Sequence, residues 1–430
     1  MRGVKYPSLG VVLFCVSSPG LAAVETGVTA GLSAEWTDNV SLTNQDRRND
    51  WVETVDIGAE LQDQETYYQY AVDYAISHER YERGSFDAST NYNGTANLNL
   101  SIIPRRFEWN NSIQSETTTR DSSALNTPEN RDQRNVYSTS PSLVLLLLAR
   151  DRLTLIGNAE KATFRESGDS ESDRAGANLD WTHAATSLLD LSLNVGQEKV
   201  QFEQDEDYRS TDYFLGINRR INGGNIWLSL GHVTVEPEVS EETDEPQYEA
   251  NIDWSNQLHS VTFLAYHDVT DSSVGASRFF EPSDDIDIPN DVNTDDVQIV
   301  RRTRYALSYG YGTESTYTIS PSIYLDDEEA VDESSDTLRK GFNLLMERTI
   351  SSQMRASFEF NIARNDNKDV VETVSTQQVD YSRLYRLALA RDFYESLGAE
   401  FWITREDADR ELDAEDYEVH TVGMNVGMRF

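Results

Sequence analysis

Few residues of this chain combine the types and spacings that do chemistry. The six histidines, His78, His183, His232, His259, His267 and His420, are scattered, with no His-x-x-x-His pair. No glycine-rich phosphate loop, nucleophile elbow or paired-carboxylate motif stands out. The single cysteine, Cys15, lies in an apolar N-terminal stretch. Without it the chain holds no disulfide, thiol nucleophile or cysteine-based metal site. No catalytic residue, cofactor site or metal site is therefore expected. What remains are charges set on alternate positions. Asp56, Glu60, Asp73 and Asp253, with Arg302, Arg304, Arg355 and Arg386, fall on the polar register of alternating segments. Their chemistry would be electrostatic. They could form cross-strand ion pairs that hold a wall, or a transverse field or constriction in a channel.

The elements that position such charges are strands. Tyr68, Tyr70, Val72, Tyr74 and Ile76 occupy every second position, with Gln69, Ala71, Asp73, Ala75 and Ser77 between them. The segment from Tyr92 to Ile102 repeats the pattern. No run of about 18 apolar residues follows the N-terminal region, so no spanning helix is expected. Alternation continues to the C-terminus and predicts about 18–20 strands. The connections alternate in length. Short turns are expected near 63–65, 104–105, 149–151, 222–224, 313–314 and 351–352. Longer polar loops are expected near 119–133, 236–246, 271–296, 326–336, 365–377 and 406–415. A spanning up-and-down barrel with periplasmic termini predicts that asymmetry, with short periplasmic turns and long external loops. Pro141 and Pro321, both in Ser-Pro-Ser contexts, are expected at bulges or strand starts. The run Leu143 to Leu148 lacks alternation and would suit a strand whose inner face is covered by a plug or partner.

Both ends carry export signals. Arg2 and Lys5, an apolar core from Leu9 to Val16, and small residues at Pro19 to Ala23 predict a signal peptide over residues 1–23. The barrel would then occupy 24–430. At the other end Phe430, Met428, Val426 and Met424 form one apolar face of a final strand. A terminal strand ending in an aromatic residue resembles the signal read by the outer-membrane assembly machinery.

The charge balance is acidic, with 75 Asp and Glu against 36 Lys and Arg, a formal net charge of −39. That opposes nucleic-acid binding, which needs basic patches. Much of the acid lies in the expected external loops, at 203–207, 236–245, 284–296, 326–336 and 406–416. It suits plain solvation, or divalent cations bridging loops or lipopolysaccharide. Aromatic residues cluster near expected strand ends, as two interfacial belts would require. Tyr67, Tyr68, Phe107, Trp109, Trp181, Trp227 and Trp254 lie by short turns, and Trp51, Tyr81, Tyr213 and Tyr248 by long loops.

The segment Leu32 to Leu42, containing Asp38-Asn39-Val40 and followed by Asp50-Trp51-Val52, resembles the first hairpin of the β-barrel porin 2 group. The end is similar too, with Leu397-Gly398-Ala399-Glu400 and then Asp416-Tyr417-Glu418 opening the last strand. The group often has a proline in its second strand, where this chain has Val55-Asp56-Ile57-Gly58. The resemblance implies an outer-membrane barrel associated with exopolysaccharide or PEP-CTERM systems, and it brings no catalytic residues. Three functions follow as expectations. The first is a pore or conduit linked to surface polysaccharide export. The second is a non-conducting barrel that docks surface polymer or a partner through acidic loops. The third is an outer-membrane enzyme, with His78 or His267 toward an outer rim. Outer-membrane lipid and lipopolysaccharide, the assembly machinery and a polysaccharide are the expected partners.

Overall fold

The computed structural model describes residues 25–430 apart from 121–124, 126, 167–170, 204–205, 272–297, 314, 332–334, 372–373 and 411–415. The expected signal peptide and the acidic segment 284–296 lie outside the described residues.

The chain forms a closed antiparallel barrel of 20 strands, a transmembrane architecture of the outer-membrane type. Each strand pairs with its neighbours in sequence, from β1 (Glu25–Thr37) to β20 (Tyr417–Arg429), and β20 pairs back onto β1. Closure satisfies the backbone of every strand laterally, which a hydrocarbon environment demands. The sequence alternation sets the two faces. In β2 (Asp50–Gln64) Val55, Ile57 and Leu61 project outward and are exposed, while Thr54, Asp56 and Glu60 face inward. A one-residue slip would turn all of them over, so alternation and register fix each other.

Every turn at one end has two or three residues, and connections at the other end are as long as the one between β13 (His259–Asp271) and β14 (Ile299–Thr313). Several strands run further than the sequence suggested. β15 (Tyr317–Ala330) extends into the expected loop at 326–336, and β17 (Met354–Val371) and β18 (Val374–Tyr394) nearly close the one at 365–377. High acidity there reflects inward-facing strand positions as well as loops.

The prolines also differ from expectation. Pro141 lies inside β6 (Arg131–Leu147) and Pro321 inside β15. Each ladder is interrupted on one side only, and the register resumes unchanged, so neither proline marks a bulge or a strand start. Gly157 leaves room for Pro141, whose Cγ would lie 3.4 Å from an added Cβ. The register shifts fall elsewhere, at Ser101/Ile103, Val144/Leu146, Ala184/Thr186, Thr349/Ser351 and Asp392/Tyr394. All five sit at the short-turn ends of descending strands, the rim position where barrels use bulges. The one at Val144/Leu146 breaks the alternation of the leucine run, and Leu145 to Leu148 are exposed at that rim.

Trp51, Trp109, Trp181 and Tyr213 are exposed on the outer face, as belts require. Trp227 and Tyr81 are not belt residues. Both stand on the inward register, and Tyr81 is buried.

Candidate functional site in the barrel lumen

The eight charges singled out above all lie on the inward register, distributed around the wall rather than gathered. Asp56 accepts a hydrogen bond from Ser77. Glu60 holds Arg429 Nη2 at 2.6 Å, and Asp73 stands opposite Glu60 on the neighbouring strand. Asp253 lies between Asn225 and Thr262. Arg355 is 3.9 Å from Glu347. Arg386 is 2.8 Å from Glu400, with its guanidinium 5.4 Å from the Trp402 ring centroid. Gly423 lets Trp402 lie flat there, because a Cβ would meet the indole at 2.2 Å.

Only Arg302 and Arg304 share a cluster. Both grip the carboxylate of Asp326 in two-pronged fashion. Arg302 donates at 3.1 and 2.9 Å, and Arg304 at 3.0 and 2.8 Å. Arg339 approaches the same carboxylate at 3.7 Å. Asp326 is fully buried on β15, opposite Arg304 and Arg339 in register. Its expected place in an external loop is therefore corrected. The strand reading Tyr324, Asp326, Glu328 on one face would have found it.

A second cluster had no signal in the sequence. Arg174 on β8 (Ser172–Thr186) donates to both oxygens of Asp271 on β13, at 2.7 and 2.6 Å. Tyr208 on β10 (Tyr208–Ile221) donates to Asp271 at 2.6 Å. Five strand steps separate β8 from β13, roughly 24 Å along the wall at normal spacing. Two side chains cannot bridge that arc unless the wall bends inward. Val200, Tyr208, Val233, Val235 and Val269 pack beside the clasp as an apolar cluster. The lumen is thus pinched on one side near the long-loop end.

Below the pinch a cavity of about 470 Å³ opens along the inner faces of β6 to β13. Six carboxylates line it, Glu160, Asp180, Glu198, Asp212, Glu249 and Asp268, and among the described residues no Lys or Arg does. Serine and asparagine side chains fill the spaces between, with Trp227 and Phe214 supplying aromatic surface. Trp227 lies over Gly216, where an added Cβ would be 2.9 Å from the ring. Its indole and the Ser229 hydroxyl sit against the Glu249 carboxylate. The arrangement can attract positive charge and hydrogen-bond hydroxyl groups.

Carboxylates at the long-loop end have a different use. Asp50 accepts the backbone N–H groups of Arg83 and Ser85 in the next loop, at 2.9 and 3.3 Å. Asp132 does the same for Arg165 and Glu166, and Glu206 for Val239 and Ser240. Acidic residues thereby stitch adjacent loops together through the backbone. Among the described residues no group of three or more His, Asp or Glu is placed to hold a metal ion.

The histidines gain partners that sequence spacing concealed. His183 lies 2.9 Å from Asp151, and His420 lies 3.2 Å from Asp38. His78 contacts Thr90 and His267 contacts Thr303. Cross-strand register, not sequence proximity, makes these pairs.

In the final strand Val422, Met424, Val426 and Met428 project outward, and Phe430 exchanges backbone hydrogen bonds with Val28 of β1.

No family model and no curated protein matches the chain. Solved structures do. The FrpB iron transporter of Neisseria meningitidis, in its apoprotein form, superposes with a TM-score of 0.51 at 9% identity, covering 94% of this chain and 81% of that one. A mutant ferric enterobactin receptor, PfeA of Pseudomonas aeruginosa, gives 0.48 at 9% identity over 96% and 81%. OpdK of the same organism, with vanillate, gives 0.42 at 8% over 94% and 99%. At such identities the likeness is one of fold: this chain is built as a large outer-membrane-type barrel.

Proposed function

We propose that the chain is a passive conduit across the outer membrane, serving the movement of surface polysaccharide or its building units. The observation that carries this reading is the inner wall. Along β6 to β13 its inward positions include Ser, Asn, Asp and Glu, and they surround a carboxylate-lined cavity that no Lys or Arg lines among the described residues. Such a wall favours neutral or cationic solutes over polyanions, because fixed negative charge in a low-dielectric frame repels anions. The resemblance at the chain's two ends supplies the link to polysaccharide. Reconstitution in planar bilayers tests the conduit: stable, cation-selective steps are expected, and their absence would reject it.

The clasp between Arg174 and Asp271 favours a second reading, because it narrows the lumen. In that reading the barrel docks surface polymer without conducting. Retention of polymer by a barrel that passes no current would select it.

A further inference from the structure

We infer that the cavity under the pinch is a binding site for a hydroxylated amine, of the amino-sugar class. The inference rests on the conduit reading for its biological setting, but its chemistry stands on the cavity alone. Carboxylates by themselves would specify only positive charge. Here they are spread around a cavity of about 470 Å³, a size that suits a small organic ligand. No group of three or more of them is gathered closely enough to hold a metal ion, among the described residues. Carboxylates spread in this way around the cavity suit the polar groups of an extended molecule.

The neutral groups narrow the class further. Gln247 is only 6% exposed and lines the cavity. Its Nε2 donates to Asp268, while its Oε1 is buried without a hydrogen-bond partner. Asn158 Oδ1, on the same wall, is also buried and without one, while Glu160 Oε1 is met by the Arg174 guanidinium in an ion pair at 3.6 Å. Gln247 Oε1 and Asn158 Oδ1 are both acceptors, and a buried acceptor left unpaired is costly. A ligand rich in donors relieves that cost. Hydroxyl and ammonium groups are such donors, whereas carboxylate or phosphate groups are not. The Trp227 ring, held against the wall over Gly216, adds a flat apolar surface suited to the C–H face of a sugar ring. Charge, acceptors and aromatic surface together describe an amino sugar better than a simple polyamine or a neutral glucan.

The test uses the full-length barrel, purified in detergent, with three probes: a glucosamine disaccharide, cellobiose and spermidine. Binding is followed by calorimetry and by tryptophan fluorescence. The glucosamine disaccharide is expected to bind at least about tenfold more tightly than either comparator, the value of one charge-assisted hydrogen bond. Equal affinity for cellobiose would remove the role of charge, and equal affinity for spermidine that of the hydroxyls. Either result, or no binding at all, overturns the inference. The double variant Asp180→Asn with Glu249→Gln should lower the affinity about tenfold or more. Unchanged affinity in a variant that still shows heat-modifiable migration would also overturn it. The wild-type probe series stands even if that variant fails to assemble. The two proposals separate cleanly. Conductance without amino-sugar binding defeats the site and leaves the conduit, and binding without conductance does the reverse.

Discussion

At the scale of single residues, the buried charges decide most. Asp326 is surrounded by Arg302, Arg304 and Arg339, so removing its carboxylate takes a shared buried partner from three guanidinium groups. Breaking a buried pair from one side typically costs about 3–5 kcal/mol. Asp326→Ala is therefore expected to shift the urea midpoint of the folded barrel strongly downward, while Glu329→Ala, at a more exposed position on β15, should leave it nearly unchanged. Glu206 gives a pH prediction. Burial opposes its ionisation, but hydrogen bonds from the Ser240 hydroxyl and from the backbone of Ser240 and Val239 outweigh it and hold its carboxyl below the ordinary value. A depressed native value means that the ionised form is favoured by the folded loops. Their link is thus fully present above the ordinary value of 4.5 and is lost as pH falls through the depressed one. Amide exchange at Val239 and Ser240 should accelerate over that acid range in the wild type. In Glu206→Gln it should be fast throughout, and a wild-type rate without an acid transition would contradict the assignment. These residues also mark the limit of sequence reading. Arg302 and Arg304 were legible as inward charges from alternation alone. Asp326 was not, because an acidic run looks like a loop until its strand register is known. Arg174 and Asp271 lie 97 positions apart, and no local pattern joins them.

At the scale of elements, alternation carried the information. Period two gave the strands, their faces and a count that the 20-strand barrel matches. Strand ends were less legible, because polar residues serve equally in a loop or on a lumen-facing strand position. Pro141 and Pro321 misled for a related reason. A missing donor is usually a sign of an edge or bulge, yet each proline here opens one ladder and leaves the register intact. The final strand invites a direct test. Phe430 is largely exposed and donates its backbone N–H to Val28 at 2.8 Å, adding little packing to the folded barrel. Its deletion should therefore cost little stability once the barrel is refolded in detergent. If the terminal aromatic is an insertion signal, the same deletion should sharply reduce the amount assembled in cells. Normal assembly in cells would remove Phe430 from that role, and a large stability loss in detergent would assign it a structural one instead.

At the scale of the whole molecule, the barrel is asymmetric in section. A regular cylinder would keep β8 and β13 apart, whereas the Arg174–Asp271 clasp and the valine cluster beside it draw that side of the wall inward. The pinch lies between the acidic cavity and the long-loop mouth, so it is the part of the described lumen best placed to limit flow. Removing one partner alone would leave a buried, uncompensated charge at a cost of about 3–5 kcal/mol, and the result would mix folding with function. Removing both avoids that: Arg174→Ala with Asp271→Ala deletes one positive and one negative charge and preserves the net lumen charge. In planar bilayers this double variant is expected to give larger single-channel steps than the wild type, with cation selectivity retained, because the carboxylates below are untouched. Larger steps with lost selectivity would place the selective element in the clasp itself. Unchanged steps would mean that the clasp is a structural tie and that the current takes its limit from elsewhere in the lumen.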